Sequence, residues 1–125
     1  QLTFGVATAG TADYSWETFP NPTITGVGTF SGTTISITGL PANQTIRLKI
    51  SPTNFQRINI NAGPDRNRLI DIEQWGTTAW TSMNSAFRNC TNLAGNGAPD
   101  VPNLSGVTDM SSMFQAALLF NHSIG

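Results

Sequence analysis

Apolar and polar residues alternate one by one through much of the first half of the chain. Residues 34–38 read Thr-Ile-Ser-Ile-Thr, and residues 45–50 place Ile46, Leu48 and Ile50 on one face. Residues 56–61 repeat the pattern with Ile58 and Ile60, and weaker runs occur at 2–6, 14–18 and 23–30. Turn residues separate these runs: Asn21-Pro22, Ser31-Gly32, Gly39-Leu40-Pro41 and Ser51-Pro52. No helical period is present in this half. Short strands with one apolar face each predict a small antiparallel β-sandwich over residues 1–62.

The rhythm changes after the turn cluster from Ala62 to Asn67. Residues 69–75 alternate and predict a short strand, ended by Gly76. Residues 81–89 and the adjoining Cys90 bring Met83, Ala86, Phe87 and Cys90 to helical spacing, with Thr81 or Ser82 as N-cap. Residues 92–99 read as loop, and Pro99 and Pro102 exclude a central strand over 98–104. Thr108 or Asp109 then caps a second short helix with Met110, Met113, Phe114 and Ala117 inward. The two stretches are copies of each other. An offset of 27 carries Thr81 onto Thr108, Met83 onto Met110, Ser85 onto Ser112 and Phe87 onto Phe114. A repeat of this length is the mark of a stacked array, in which each unit buries its apolar side against its neighbours. The second part, residues 63–125, is therefore expected to be the front of a solenoid that continues past Gly125.

Composition narrows the function. Only 10% of residues are charged, with 6 Lys+Arg against 7 Asp+Glu, well below the ~25% of ordinary soluble proteins. Without a basic stripe there is nothing to neutralise phosphates, which excludes nucleic acid as partner. A basic amphipathic membrane helix is excluded as well, and no apolar run reaches the ~18 residues of a membrane span. The hydroxyl- and amide-rich surface that remains suits an extracellular protein, and near-zero net charge permits self-association. Gln1 looks like a terminus left by processing, or like the cut edge of a longer chain. One cysteine, Cys90, excludes an intrachain disulfide framework.

Two motifs now carry a resemblance. Ala86-Phe87-Arg88-Asn89-Cys90-Thr91-Asn92-Leu93 and Val107-Thr108-Asp109-Met110-Ser111-Ser112-Met113-Phe114 resemble the BspA-like leucine-rich repeats of bacterial surface proteins. Those units read Ala-Phe-x-x-Cys-x-x-Leu and Val-Thr-x-Met-x-x-Met-Phe. Phe120-Asn121, three residues before Ile124, looks like the family's link into the next unit, and residues 72–76 with Trp80 look like its lead-in. The resemblance covers residues 69–125. Over 1–62, the runs at 45–50 and 55–61 are similar to the small immunoglobulin-like (polycystic-kidney-disease-like) domain that often precedes such repeats. It implies a leucine-rich-repeat (α/β) solenoid, in a secreted or cell-surface protein, often adhesive, without catalysis. The motif residues Trp75, Trp80, Met83, Phe87, Cys90, Leu93, Val107, Met110, Met113, Phe114 and Phe120 then carry over as repeat core. Two departures stand out: the insertion at 94–97, a candidate contact loop, and Ala117 where the first copy has Cys90.

The chemistry-bearing residues are sparse. His122 is the lone histidine and reads as a surface or packing residue, since a site needs several convergent groups. Cys90, among apolar neighbours, reads as buried rather than reactive. Asp65, Asp71, Glu73, Asp100 and Asp109 form no calcium-loop pattern, so no cofactor is expected, with calcium left open. Asp71 and Glu73 read as a solvated strand face, and Asp13 and Glu17 carry nothing further. Gly26-Val27-Gly28 lacks the rest of a phosphate loop and reads as a turn. Trp75 and Trp80 suit packing between the two parts, whereas Trp16 is a candidate ligand contact, with Tyr14 beside it. Sequons at Asn43, Asn89, Asn103 and Asn121 are expected by chance in so Asn- and Thr-rich a chain.

The expected function is non-enzymatic: a secreted or bacterial cell-surface protein, its signal peptide removed, acting in adhesion or protein–protein contact. It would bind protein partners or copies of itself, the latter as a filament subunit, or surface glycans. The alternative is a carbohydrate-binding module with Trp16 or Tyr14 as its stacking platform.

Overall fold

A computed structural model describes residues 1–94, 97–121 and 124. Gly95 and Asn96 of the insertion, His122, and Ser123 and Gly125 of the expected link lie outside the described residues. The strands among those described are β1 (Leu2–Thr8), β2 (Ala12–Thr18), β3 (Thr25–Phe30), β4 (Thr34–Ile37), β5 (Ile46–Ile50) and β6 (Phe55–Asn59). They form two three-stranded antiparallel sheets, ordered β4–β1–β6 and β3–β2–β5.

The period-two pattern sets the faces. Ala12, Trp16 and Phe30 of one sheet and Val6, Ile35, Ile37 and Phe55 of the other are buried. Phe30 and Phe55 meet edge to face across the sheets, with centroids 5.9 Å apart. Asp13, Thr25, Val27, Thr29 and Lys49 face outward. Gly26 and Gly28 do not form the expected turn. They lie inside β3, opposite Trp16 and Tyr14, and a Cβ at either would fall 2.4 Å from the indole Nε1 or the tyrosine hydroxyl. The aromatic side chains of β2 occupy the space that β3 leaves empty.

Beyond β6 the expected elements do not form. Residues 69–75 run without a ladder partner, so the strand expected there is absent. Their bonds go elsewhere: the Ile70 carbonyl accepts from the Ala94 amide at 3.0 Å, and the Trp75 amide donates to Asp100. Neither short helix forms, and a 3-10 turn at Arg66–Arg68 is the helical structure among the described residues. The reason is local. Ser85 and Asn89, and after them Ser112 and Ala116, have φ of 53°, 60°, 57° and 58°, which a right-handed helix cannot accommodate. The molecule is therefore mainly β with almost no helix.

What replaces the helices is a succession of tight turns that repeats at 27 residues. The Gly63 amide donates to the Ile60 carbonyl at 2.8 Å, Cys90 to Phe87 at 3.1 Å and Ala117 to Phe114 at 3.0 Å. Arg66 to Gly63, Leu93 to Cys90 and Phe120 to Ala117 form a second such set. Left-handed backbone recurs in step at Ala62, Asn89 and Ala116. The turns are also bonded to one another. Amides of Met83, Ser85, Phe87 and Asn89 donate to carbonyls of Asp109, Ser111, Met113 and Gln115, at 2.8–3.0 Å. One level earlier, Ile60 and Ala62 donate to Ala86 and Arg88 in the same way. The echo thus reaches back to Ile60, next to the last residue of β6.

Candidate functional site

The turns enclose a narrow apolar interior. Met83, Ala86, Phe87, Cys90 and Leu93 are buried, as are Met113 and Ala117 of the following level. Aromatic rings run through it: Trp75 edge-on to Phe87 at 5.9 Å, Phe87 stacked on Phe114 at 5.4 Å, and Phe114 on Phe120 at 4.0 Å. A second line, Tyr14–Phe30–Phe55–Trp80, ties both sheets to the turns. Trp75 and Trp80 therefore lie in one continuous core, where Gln56 of β6 and Ile60 just after it also bond the turns directly.

The repeat-core positions are not equivalent. Met83 is fully buried, but its counterpart Met110 is 47% exposed, so Met110 is not a core residue. Val107, Phe114 and Phe120 are half-buried. On this last level Leu118 and Leu119 are exposed too. Sequence reasoning passed over these two leucines, although a signal exists. At the 27-residue offset they stand opposite Thr91 and Asn92, exposed polar residues that bond back to Asn67. Leucine at a position where the preceding copy is polar and solvent-facing marks an apolar surface.

Trp16, the candidate ligand contact, is buried, with 7% of its surface exposed, and Trp75 and Trp80 are buried with 6% and 5% exposed. No tryptophan is left as a stacking platform for sugars, and Tyr14 is half-buried over Gly28. Cys90 is fully buried and its thiol is pushed up to about 11 by desolvation, so it stays protonated at neutral pH.

The carboxylates serve as backbone caps and ion pairs. Asp100 accepts the amides of Trp75 and Gly76, each at 2.9 Å, and these bonds hold its carboxyl below the ordinary range. Asp109 accepts the Ser111 hydroxyl and amide, with the same effect. Ser82, 27 residues earlier, caps Asn84 in the corresponding turn. Asp71 accepts the Gly97 amide, and Asp65 accepts the Thr3 amide at 2.7 Å. Arg47 bridges Glu17 of β2 and Glu73, drawing the Glu73 carboxyl down through its hydrogen bond. Asp71 and Glu73 are thus tethers rather than a free polar face. Among the described residues no group of three or more His, Cys, Asp or Glu could hold a metal ion, and no helix is long and apolar enough to cross a membrane.

A family model described as Mycoplasma protein of unknown function, DUF285, matches residues 54–125. The chain belongs to the DUF285 family. The match begins one residue before β6 and spans all three levels of turns, so the DUF285 region takes in the strand through which the sheets join the turns. No curated protein and no solved structure matches the chain.

Proposed function

We propose that the chain is part of a secreted or bacterial cell-surface protein that works by protein–protein contact, without catalysis or cofactor. In this reading the DUF285 region is the start of a BspA-like leucine-rich-repeat solenoid, and the paired sheets are an immunoglobulin-like domain that caps its first turn. One observation carries the reading: the 27-residue recurrence of turn bonds, level-to-level bonds and left-handed positions from Ile60 to Phe120. A stack of this kind keeps its motif residues inside and varies what it presents outside. Support for contact with a protein comes from Leu118 and Leu119, exposed where the previous level is polar. The burial of all three tryptophans speaks for protein rather than glycan. Adhesion is the function in which such a surface acts.

The test uses beads coated with the 125-residue chain and offered to cultured epithelial cells. Binding above albumin-coated beads, lost in a Leu118→Asp/Leu119→Asp variant of unchanged circular dichroism, is the expected result. Beads that bind no better than albumin would overturn the reading.

A further inference from the structure

The four sheet edges are treated differently. The outer edge of β6 is bonded to the turns, with Thr81 donating to Gln56, and Ile60, just past the strand, donates to Ala86. The β5 edge carries Arg47 and Lys49, both paired with Glu17, and such charges guard an edge against strand addition. β4 is only four residues long. β3 has six residues, and no Asp, Glu, Lys, Arg or His occurs anywhere from residue 18 to residue 46.

The hydrogen-bond phase says which groups this edge offers. The Thr18 amide donates to the Ile24 carbonyl at 2.9 Å, in the same register that pairs Trp16 with Gly26 and Tyr14 with Gly28. Antiparallel pairs alternate between bonded and non-bonded, so the even-numbered residues of β3 bond β2. The amides and carbonyls of Thr25, Val27 and Thr29 point away from the sheet, and no hydrogen bond reaches them among the described residues. Their sequence, Thr25-Gly26-Val27-Gly28-Thr29, reads the same in both directions.

We infer that β3 is a self-pairing edge, at which two copies of the chain associate antiparallel about a two-fold axis through Val27. In that register Val27 faces Val27 and each Thr25 faces a Thr29, so all three outward residues of each strand find bonded partners. A slip of two residues would leave one of the three unmatched. The outer face then carries Val–Val and Thr–Thr cross-strand pairs, both favourable, while glycine meets glycine on the other face. Val27, 83% exposed in the single chain, is covered by its own copy. The absence of charge removes the like-charge repulsion that self-pairing otherwise meets. The two β3–β2–β5 sheets become one six-stranded sheet, a closed isologous pair rather than a growing filament. The inference is independent of the adhesive reading of the turns.

Sedimentation equilibrium of the 125-residue chain over micromolar to millimolar concentrations tests it. The wild type should dimerise. Val27→Pro removes an amide that β2 does not use, a substitution edge strands tolerate, and should weaken the dimer at least about tenfold with circular dichroism unchanged. Val27→Lys and Val27→Glu should each be monomeric, because like charges meet on the axis, and their equimolar mixture should dimerise again. Should the proline variant fail to fold, the charge pair decides, since its side chain lies in solvent. A wild type monomeric throughout, species larger than a dimer, a dimer untouched by Val27→Pro in folded protein, or a mixture that stays monomeric would each overturn it.

Discussion

The two halves of this chain bury apolar side chains by different means. In the paired sheets, backbone amides alternate direction along each strand, and residues two apart share a face. In the turns, the amides of Met83, Ser85, Phe87 and Asn89 donate to the next level's carbonyls while others close i to i+3 turns within the level, and left-handed residues lie between the tight turns. Sheets can end in a bare edge, as β3 does. The last level of turns described leaves part of its apolar set uncovered, with Phe114 and Phe120 half-buried and Met110 exposed. Burial therefore depends on the level as well as on position in the 27-residue frame: Met110 is exposed where Met83 is buried, while Met113 and Ala117 stay buried like Ala86 and Cys90.

Phe87 and Met110 break that comparison most directly. Phe87 is nearly inaccessible, between Trp75 and Phe114, and Phe87→Ala should cost about 3–5 kcal/mol. Met110→Ala should stay within about 0.5 kcal/mol, as exposed substitutions usually do. Urea unfolding followed by tryptophan fluorescence measures both. Equal costs would show that the two levels are alike and that Met110 is core after all.

Much of the β half was legible because alternation is a direct record of a strand's two faces. All six strands coincide with runs read from residues 2–61, apart from shifts at their ends. The turns were misread for a physical reason. Met83, Phe87, Cys90 and Leu93 follow one another at intervals of four and three residues, the spacing of a helix face. Successive i to i+3 turns generate the same intervals. Only the left-handed residues distinguish the two, and of the four in the expected helices, Ser85, Asn89, Ser112 and Ala116, Asn89 alone belongs to a type that favours that conformation. The 27-residue repeat was legible, but its first level was not. Ile60, Gly63 and Arg66 share backbone bonds with the later levels and few side-chain identities. For the candidate site, burial of Trp16 follows from Gly26 lying across from it, a pairing visible only once the register is known.

A smaller effect sharpens the role of the left-handed positions. Ala116 holds φ at 58°, which costs an L-residue roughly 1–2 kcal/mol, whereas glycine adopts it freely but loses up to about 1 kcal/mol in chain entropy. Ala116→Gly should therefore stabilise the protein by up to about 1 kcal/mol. Asn89→Gly should gain less, because asparagine already tolerates the conformation. Loss of stability in Ala116→Gly, read from the urea midpoint, would mean that its methyl group contributes more than its backbone costs.

The smallest effect is a pH dependence located where the turns are capped by a side chain. Asp100 accepts two successive amides, from Trp75 and Gly76, and this lowers its carboxyl below the ordinary value. A lowered value in the folded chain means that the unfolded chain binds the proton more readily. The cap's contribution is thus fully present above the ordinary aspartate value of about 4 and is lost as pH falls through the folded value. Asp100→Asn keeps the shape and removes the charge. It should be less stable than wild type at neutral pH, and the gap should close as pH falls below about 4. Asp109, lowered by its bonds to Ser111, titrates over the same acidic range in both proteins and so leaves the difference between them unaffected. Denaturation curves at stepped pH read this difference. A gap that persists unchanged into acid would assign the loss to altered packing around Trp75 rather than to the carboxylate's bonds with the two amides.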